Sequence, residues 1–504
     1  MVALNVITFC CERFLEIFAC GMSAERSQTP TQMGRKTRTN WSREHASKGY
    51  PSRKSAIENR PMITGIIVSE TLEARTRLTP LIAVAVAGQA IGYGLSVLLA
   101  RRLSFQEFEA YVVASAAFVL LATFAARGTE KYTLVQLPVL LERGEWGLAK
   151  GFVRFGARRT ILTAIVTGVL LALWSGWFRN SGDAVRLALI ATGLSLPAGA
   201  SMHYAVEVLS AMGRPVRALT IFKLFVPGLT LALISALVLL RVPIGGTVAV
   251  ACWGVSWAIA LALMVRAIGR AAPGALRRVT PIAEPEVWRA GARPFLVYRL
   301  ALALLGQSGV IALDLLQPSA VAVGAYAAAA GTAALASILA AATNRAYGRE
   351  LALRLNRRDF DGLNRARRQR ILMLGPLVGV FICAALAYPE RILSPYGAIF
   401  AREGANAFRI LAVSTAFSVI LSLAPTYLKA RKRNRVTYVI VTAAGFGQFL
   451  LLLLLVPCLG ATGAALAHAV ATCGLYGVSA LMAHRELIDV RKNLTIRSQS
   501  ETGA

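Results

Sequence analysis

Long apolar runs separated by short polar segments occupy the chain from Leu78 onward. Each run is close to the roughly 20 residues that a helix needs to cross a bilayer. We therefore predict an all-α integral membrane protein with twelve spanning helices. They lie at approximately 78–100, 110–127, 160–178, 184–207, 217–240, 243–265, 294–314, 320–343, 371–388, 406–428, 436–456 and 460–483.

Residues 1–77 have a different pattern. The first 20 residues are apolar but include Glu12 and Arg13, too much charge for a spanning helix, and they lack the features of a signal peptide. The polar segment that follows has the composition of disordered chains. Met62 is a second possible start, and we expect the natural protein to begin there. Residues 1–77 are thus expected to be a disordered or wrongly assigned cytoplasmic tail.

Two parts of the chain are similar to each other. The segment "GQAIGYG" at 88–94 matches "GQSGVIA" at 306–312, and Tyr111 aligns with Tyr326 after them. The similarity reaches the ends of both parts, where "RVPIGGT" precedes the sixth span and "LVPCLGAT" precedes the twelfth. We interpret the pattern as an internal duplication.

The duplication divides the chain into a six-helix half at 78–290, a second at 291–485 and a short cytoplasmic tail at 486–504. An even number of spans gives both halves the same orientation, so the repeat is parallel, with its axis along the membrane normal. Such repeats enclose a central site between the halves. This arrangement is typical of transporters.

Composition supports a membrane protein and excludes several other classes. Of 504 residues, 56% are hydrophobic and only 16% are charged, against about a quarter in soluble proteins. The net charge of +30 would indicate nucleic-acid binding in a soluble chain. Here the basic residues lie between apolar runs, where membrane topology and anionic lipids explain them, and no nucleic-acid partner is expected.

Lysine and arginine also predict the orientation. They are concentrated in the segments that follow even-numbered spans, such as "GRPVR" and "KARKRNR", and are sparse after odd-numbered ones. By the positive-inside rule, both termini are predicted to be cytoplasmic.

No enzymatic motif is present. The sequence lacks a phosphate-binding G-x-x-x-x-G-K-[ST], an H-E-x-x-H and a G-x-S-x-G. Its seven cysteines include no C-x-x-C pair and none at metal-ligand spacing from histidine, so neither disulfides nor a metal site is predicted. We expect a protein that is not an enzyme and has no cofactor.

Several stretches resemble the Wzx-type O-antigen flippases, a polysaccharide-biosynthesis family in the superfamily that also holds the multidrug antiporters. They are "LLARRLSFQEFEAYVVASAAF", "SAMGRPVRALTIFKL" and "VPCLGATGAALAHAVAT". The resemblance covers about 78–485. One departure concerns Asp314, where "ALDLLQPSA" lacks the basic residue that usually follows the aspartate in this family.

This resemblance implies a function. The substrate would be an oligosaccharide on an isoprenoid pyrophosphate, flipped across a bacterial inner membrane by alternating access, with membrane lipids, a polysaccharide polymerase and a chain-length regulator as partners. The charged head group cannot cross hydrocarbon unaided, because burying an unpaired charge is costly. A flippase therefore needs a wet, cationic passage.

Polar residues within the spans are candidates for lining that passage. Gln89 and Gln307 occupy equivalent positions in the two halves, although a helix–helix hydrogen bond would explain each equally well. Lys223 and Arg299 are candidate ligands for phosphate, with snorkelling to the interface as the alternative. Glu207 is as far from the turn at Pro215 as Lys223 is, so the two are predicted to be neighbours.

Four further residues are considered. Asp314 and His468 could couple transport to a proton gradient, but Asp314 is expected to be solvated at the outer interface and His468 to be packed and hydrogen-bonded. Arg345 and Arg349 are candidates for phosphate capture in a cytoplasmic loop after the eighth span, where a solvated basic loop is the simpler explanation.

Two other functions remain open. A cation-coupled drug antiporter of the same fold should have a carboxylate in its first or seventh span, and the first span has none. A multi-span glycosyltransferase or polysaccharide polymerase needs paired acids on a large outer loop. Glu107 and Glu109 are the only candidates for that pair, and the outer loops are short.

Overall fold

The computed structural model describes residues 60–177, 182–317, 319–356, 359–431 and 434–502, and the regular structure in these ranges is entirely helical. Contacts divide the chain into Met1–Glu73 and Ala74–Ala504; the first unit lies mostly outside the described residues, and the second holds most of the fold. The helices are α1 (Arg60–Arg102), α2 (Phe105–Ala126), α3 (Thr129–Glu142), α4 (Trp146–Trp177), α5 (Asp183–Ala211), α6 (Pro215–Leu239), α7 (Gly246–Ala271), α8 (Gly274–Arg278), α9 (Pro285–Leu316), α10 (Ala320–Asn356), α11 (Phe360–Ala387), α12 (Pro389–Leu393), α13 (Ala398–Leu421), α14 (Leu423–Ala430) and α15 (Asn434–Thr502).

Eleven helices in the described ranges are long and apolar enough to cross a membrane. The last, α15, is bent at Gly460, whose φ of 54° and ψ of −131° are not helical. Gln448 before the bend and His468 after it both contact the carbonyl of Leu305. In a straight helix, these two residues would be about 30 Å apart. The two arms of α15 therefore run antiparallel and supply the last two predicted spans.

Side-chain hydrogen bonds mark where several helices begin. The Ser104 hydroxyl accepts a hydrogen bond from the Glu107 backbone N–H at 3.3 Å and caps α2. The Asp359 carboxylate caps α11 in the same way, accepting from the Gly362 N–H at 2.8 Å. Glu107 also accepts from the Gly246 N–H at the start of α7. Glu107 therefore has a structural role at two helix ends.

A large apolar core joins the two predicted halves at one end of the bundle. By the distribution of Lys and Arg, this end is predicted to be the extracytoplasmic one. The core contains Leu99 and Phe108 from the first half with Leu313, Tyr326 and Phe400 from the second. Large apolar side chains elsewhere point outward, among them Leu194, Leu239 and Val380. This distribution suits a bundle surrounded by lipid.

Three segments differ from expectation. Residues 60–77, assigned above to a tail, are helical and continuous with the first span. The third spanning helix begins at Trp146 and is longer than predicted. The basic segment after the eighth span is not a loop, because α10 continues to Asn356. A single glycine, Gly348, lies within this part of α10 and does not end the helix.

Candidate functional site

An aromatic cluster lies inside the first half. The His203 ring is 5.0 Å from the Phe222 ring and 5.6 Å from the Trp257 ring, measured between centroids. Phe118 packs against both Trp253, at 4.4 Å, and Trp257, at 5.7 Å. Trp257 is 5% exposed, and its indole N–H has no hydrogen-bond partner within the described part of the chain. This cluster offers ring faces for stacking and a free donor.

Lys223 extends this cluster toward a charged region. It lies in a single π-helical turn, Thr220–Phe225, within α6. Such turns often occur at functional sites. The Lys223 ammonium is 5.1 Å from the centroid of the Phe222 ring. A Cβ at Gly88 would overlap the Lys223 carbonyl, so α1 approaches α6 closely beside Gln89.

Glu207 forms an ion pair with Lys131. Its predicted contact with Lys223 stays a prediction. The hairpin geometry around Pro215 could not reveal this partner, because Lys131 comes from α3, a helix outside the hairpin. Lys131, Lys223 and Arg299 are all near enough to His203 for their charges to act on it. The structure thus brings three basic side chains toward one region of the first half.

The two halves meet in this region through a second ion pair. The Arg299 Nε lies 3.5 Å from Glu130 Oε1, joining α9 of the second half to α3 of the first. Glu130 is 3% exposed, whereas the Arg299 side chain is 32% exposed. Burial raises the pKa of the Glu130 carboxyl, and this effect outweighs the opposing influence of Arg299. We call Glu130, Lys131, Glu207, Lys223 and Arg299 the charged cluster.

A backbone break places α3 beside α9. Arg127 and Gly128 both have positive φ, of 49° and 76°, which ends α2 and turns the chain into α3. A Cβ at position 128 would overlap the backbone of Ala292 and Leu296. Glycine is therefore required here for both its conformation and its small size.

The charged cluster can bind an external anion if one of its carboxylates first separates from the basic side chain with which it pairs. The cluster contains three basic and two acidic side chains, and the Lys223 ammonium lies against Phe222 of the aromatic cluster. An anion bound here would meet a guanidinium and ammonium groups close to aromatic ring faces. The described residues contain no group of His, Cys, Asp and Glu that could hold a metal ion.

Gln89 and Gln307 are both half-buried, on α1 and α9. Neither amide forms a hydrogen bond with another residue that the structure describes. The neighbour of Gln307, Ser308, instead accepts a hydrogen bond from Gln448 Nε2 at 2.8 Å. Gln448 is the fully buried amide that links the helices here.

His468 is packed against α9. Its Nδ1 is 3.0 Å from the Leu305 carbonyl and its Nε2 is 3.3 Å from the Thr472 hydroxyl. The expectation that Asp314 is solvated is wrong, because its side chain is 5% exposed. Its neighbour Leu313 is fully buried and belongs to the large apolar core.

Arg345 and Arg349 lie in α10, not in the predicted loop. Their side chains are outside the described residues, so their predicted role in phosphate capture stays a prediction. Asn344, beside them, accepts a hydrogen bond from Arg370 Nη2 at 2.9 Å.

The two halves also meet at the opposite end of the bundle. The Tyr93 and Tyr396 rings pack edge to face with centroids 5.6 Å apart. Arg101 donates to the carbonyls of Pro395 and Ser394 at 2.5 and 3.1 Å. Phe105 adds an edge contact of 5.3 Å with Phe400. We call these contacts the outer closure.

Sequence reasoning missed Glu130, Lys131 and the two tryptophans. The tryptophans had a visible signal, since Trp253 and Trp257 are four residues apart and share one helix face. Glu130 and Lys131 had none, because they lie in a polar segment between spans.

No family model and no curated protein matches this sequence. Solved structures do match. An inward-facing multidrug resistance MATE family transporter of the MOP superfamily has a TM-score of 0.62 at 14% identity, over 81% of this chain and 96% of that one. A MATE transporter of Vibrio cholerae has a TM-score of 0.60 at 14% identity, over 84% and 98%.

A third structure is a MOP superfamily transporter from Pyrococcus furiosus, described as having a binding pocket of reverse polarity that suggests a different function. Its TM-score is 0.57 at 12% identity, over 82% of this chain and 96% of that one. Likeness at such low identity concerns the fold. This likeness and the eleven long apolar helices within the described residues show a multi-pass membrane protein with the fold of the MATE transporters of the MOP superfamily.

Proposed function

We propose that this protein is a flippase for lipid-linked oligosaccharide, which it moves between the leaflets by alternating access. The observation that carries the proposal is the position of the charged cluster. The Lys223 ammonium lies against Phe222 of the aromatic cluster, and the Lys131 and Arg299 charges act on His203 in the same cluster. Arg299 also pairs with Glu130 where the two halves meet. Pyrophosphate matches the basic groups and sugar rings match the aromatic faces, while the isoprenoid tail would stay in the bilayer.

The ion pair between Arg299 and Glu130 gives this site a means of responding to its substrate. A pyrophosphate oxygen would compete with the Glu130 carboxylate for the Arg299 guanidinium. Binding would then loosen a contact between α3 and α9, and so between the halves. The two halves would then close around the head group. The contacts of the outer closure would separate next, and this separation would release the substrate on the other side of the membrane.

One observation favours a second function, proton-coupled drug export. Glu130 is a buried carboxyl with a raised pKa, which is a property of groups that exchange protons during transport. A cationic drug could replace Arg299 beside it. The fold is shared with multidrug transporters and is equally compatible with this alternative.

A deletion strain distinguishes the two functions. If the protein is the flippase, cells lacking it accumulate lipid-linked oligosaccharide that faces the cytoplasm and lose surface polysaccharide. Unaltered polysaccharide combined with greater sensitivity to cationic drugs would contradict the flippase and support the antiporter. Complementation with the unmodified gene is the control.

A further inference from the structure

A cavity of about 80 Å³ lies in the second half, between α10, α11, α13, α14 and α15. It has room for several water molecules. Its polar lining comes from Tyr347, Arg367, Arg370, Tyr427, His484 and one asparagine, and the rest is leucine, isoleucine and alanine. The described lining includes no Asp or Glu. We call it the basic cavity; it shares no residue with the charged or aromatic cluster.

Arg370 is the central feature of the basic cavity. Its side chain is 1% exposed, although arginine is almost never buried without an acidic partner. The described ion pairs include none to Arg370. Among the described residues, its guanidinium donates only to neutral oxygens, those of Thr343, Asn344 and Ser422 and the carbonyls of Val419 and Ile420.

Neutral acceptors satisfy the hydrogen bonds of Arg370 but carry no counter-charge. Glu486, whose charge acts on Tyr427 of the cavity, pairs with Arg431 at 3.6 Å. A buried charge without a counter-ion is costly in a region of low dielectric. An anion in the adjoining cavity would offset that cost. The arrangement therefore favours a negatively charged occupant.

Two more donors point to the same occupant. Tyr427 is 3% exposed, and its hydroxyl has no hydrogen-bond partner in the described part of the protein. Arg367 lies three residues before Arg370, on the same face of α11, and also lines the cavity. A guanidinium and a phenol hydroxyl are thus free to bind one anionic group.

The basic cavity opens into a groove on the surface of the bundle. A neighbouring groove of about 410 Å³ shares four residues with it and continues to Gly477 and Leu481. The shared residues are Arg367, Leu421, Ala480 and His484. Leu481 is 62% exposed. In a spanning bundle, large exposed apolar side chains face lipid acyl chains. An occupant can therefore reach the cavity from the surrounding lipid.

We propose that the basic cavity binds the phosphate head group of an anionic membrane phospholipid, whose acyl chains lie along the groove beside Leu481. Guanidinium groups suit phosphate geometry, and basic pockets between spanning helices are suited to anionic lipid head groups. The site is independent of the transported substrate. A lipid bound here would hold α11 against α13 and α15, and so stabilise the second half.

Lipid binding can be measured on the full-length protein in detergent by native mass spectrometry, with phosphatidylglycerol as the probe. Arg367→Gln should weaken binding about tenfold, the scale of one charged hydrogen bond. Tyr427→Phe should weaken it by a smaller factor. Arg368→Gln is the matched control, because Arg368 is the next residue on α11 and does not line the cavity.

Three results would overturn the proposal. Equal weakening by Arg367→Gln and Arg368→Gln would mean that surface charge alone attracts the lipid. Equal binding of phosphatidylcholine would mean that the groove holds acyl chains without selecting an anionic head group. Displacement of phosphatidylglycerol by an equal concentration of glycerol 3-phosphate would identify a soluble phosphate as the ligand. None of these measurements involves transport, so their outcome leaves the flippase proposal separately testable.

Discussion

Glu130 and Arg299 form the contact on which the proposed cycle turns. The carboxylate is buried and the guanidinium partly exposed, so a ligand that arrives from water reaches Arg299 first. The Glu130 carboxylate then competes with the ligand for the Arg299 guanidinium. Its protonation state should control how strongly Arg299 binds an external anion.

This competition predicts a pH effect. Because burial raises the pKa of Glu130, the carboxyl becomes neutral above the ordinary glutamate value of about 4.3 as pH falls. Affinity for an isoprenoid pyrophosphate should therefore rise as pH falls through that raised pKa, by roughly threefold to tenfold. Glu130→Gln should bind tightly at every pH. Titration of a fluorescent substrate analogue measures both.

Glu207→Gln is the control for this experiment. It removes a carboxylate from the same charged cluster, but one that pairs with Lys131 and not with Arg299. It should keep the pH effect. If Glu130→Gln keeps the effect as well, Glu130 is not the competing group.

The Lys131–Glu207 pair makes a separate prediction about stability. Reversing one charge places like charges together, so Lys131→Glu or Glu207→Lys should each lower the free energy of unfolding by about 1 kcal/mol, a value limited by partial exposure. The double exchange should recover at least half of the loss. Denaturant unfolding in detergent tests this. A double variant as unstable as the sum of the single variants would exclude the pair.

For single residues, the sequence indicates which side chains are unusual better than it indicates which side chains they contact. Lys223 and Arg299 are candidates because charges are rare in apolar spans. The partner of Glu207 could not be found, since it lies 76 residues away. Asp314 was misjudged because depth along a helix does not reveal which face packs against a neighbour.

Among the helices, the break after the second span distinguishes the two halves. Arg127 and Gly128 turn the chain into α3, which carries Glu130 and Lys131 to the contact with α9. The corresponding helix of the second half, α10, continues to Asn356. The repeat in sequence therefore does not produce two identical halves. The first has the helix that bears the charged cluster, and the second has the basic cavity.

The bend in α15 is a direct consequence of Gly460. Its backbone conformation is open only to glycine, and a Cβ there would contact the Gln317 side chain. Gly460→Ala should destabilise the protein by about 1–3 kcal/mol. Gly447→Ala is the control, because a Cβ there meets no atom within 4 Å and alanine favours helix. Thermal unfolding in detergent compares them, and equal effects would contradict a special role for the bend.

Most helices could be predicted from the sequence, because hydrophobicity over about 20 residues is a strong signal. The helices that position the charged cluster could not be predicted equally well. α3 is polar and lies between spans, and the π-helical turn around Lys223 has no pattern of its own. Both depend on contacts made only after the bundle is assembled.

For the whole molecule, the contacts at its two ends define the proposed cycle. The outer closure holds Tyr93 against Tyr396, and the ion pair of Arg299 with Glu130 joins the halves in the charged cluster. Alternating access requires that these contacts separate at different stages. Locking the outer closure should therefore stop transport.

The outer closure can be locked by cross-linking cysteines introduced at positions 93 and 396. The starting variant has its native cysteines replaced by serine. Cross-linking Tyr93→Cys to Tyr396→Cys with a short reducible reagent should reduce flipping to the background of empty liposomes, and reduction should restore it. Tyr298→Cys with Tyr438→Cys is the control, because these rings are 5.3 Å apart within the second half. Transport that continues through a locked outer closure would exclude the proposed cycle.

The central claim is tested most directly by flipping of a fluorescent isoprenoid pyrophosphate oligosaccharide in proteoliposomes. Arg299→Ala is compared with Arg289→Ala, an exposed arginine on the same helix that pairs with Glu286 at 3.0 Å. Unmodified protein and Arg289→Ala should flip the lipid at equal rates, and Arg299→Ala should lose at least about tenfold. Equal rates in both variants, or no flipping by the unmodified protein, would contradict the account.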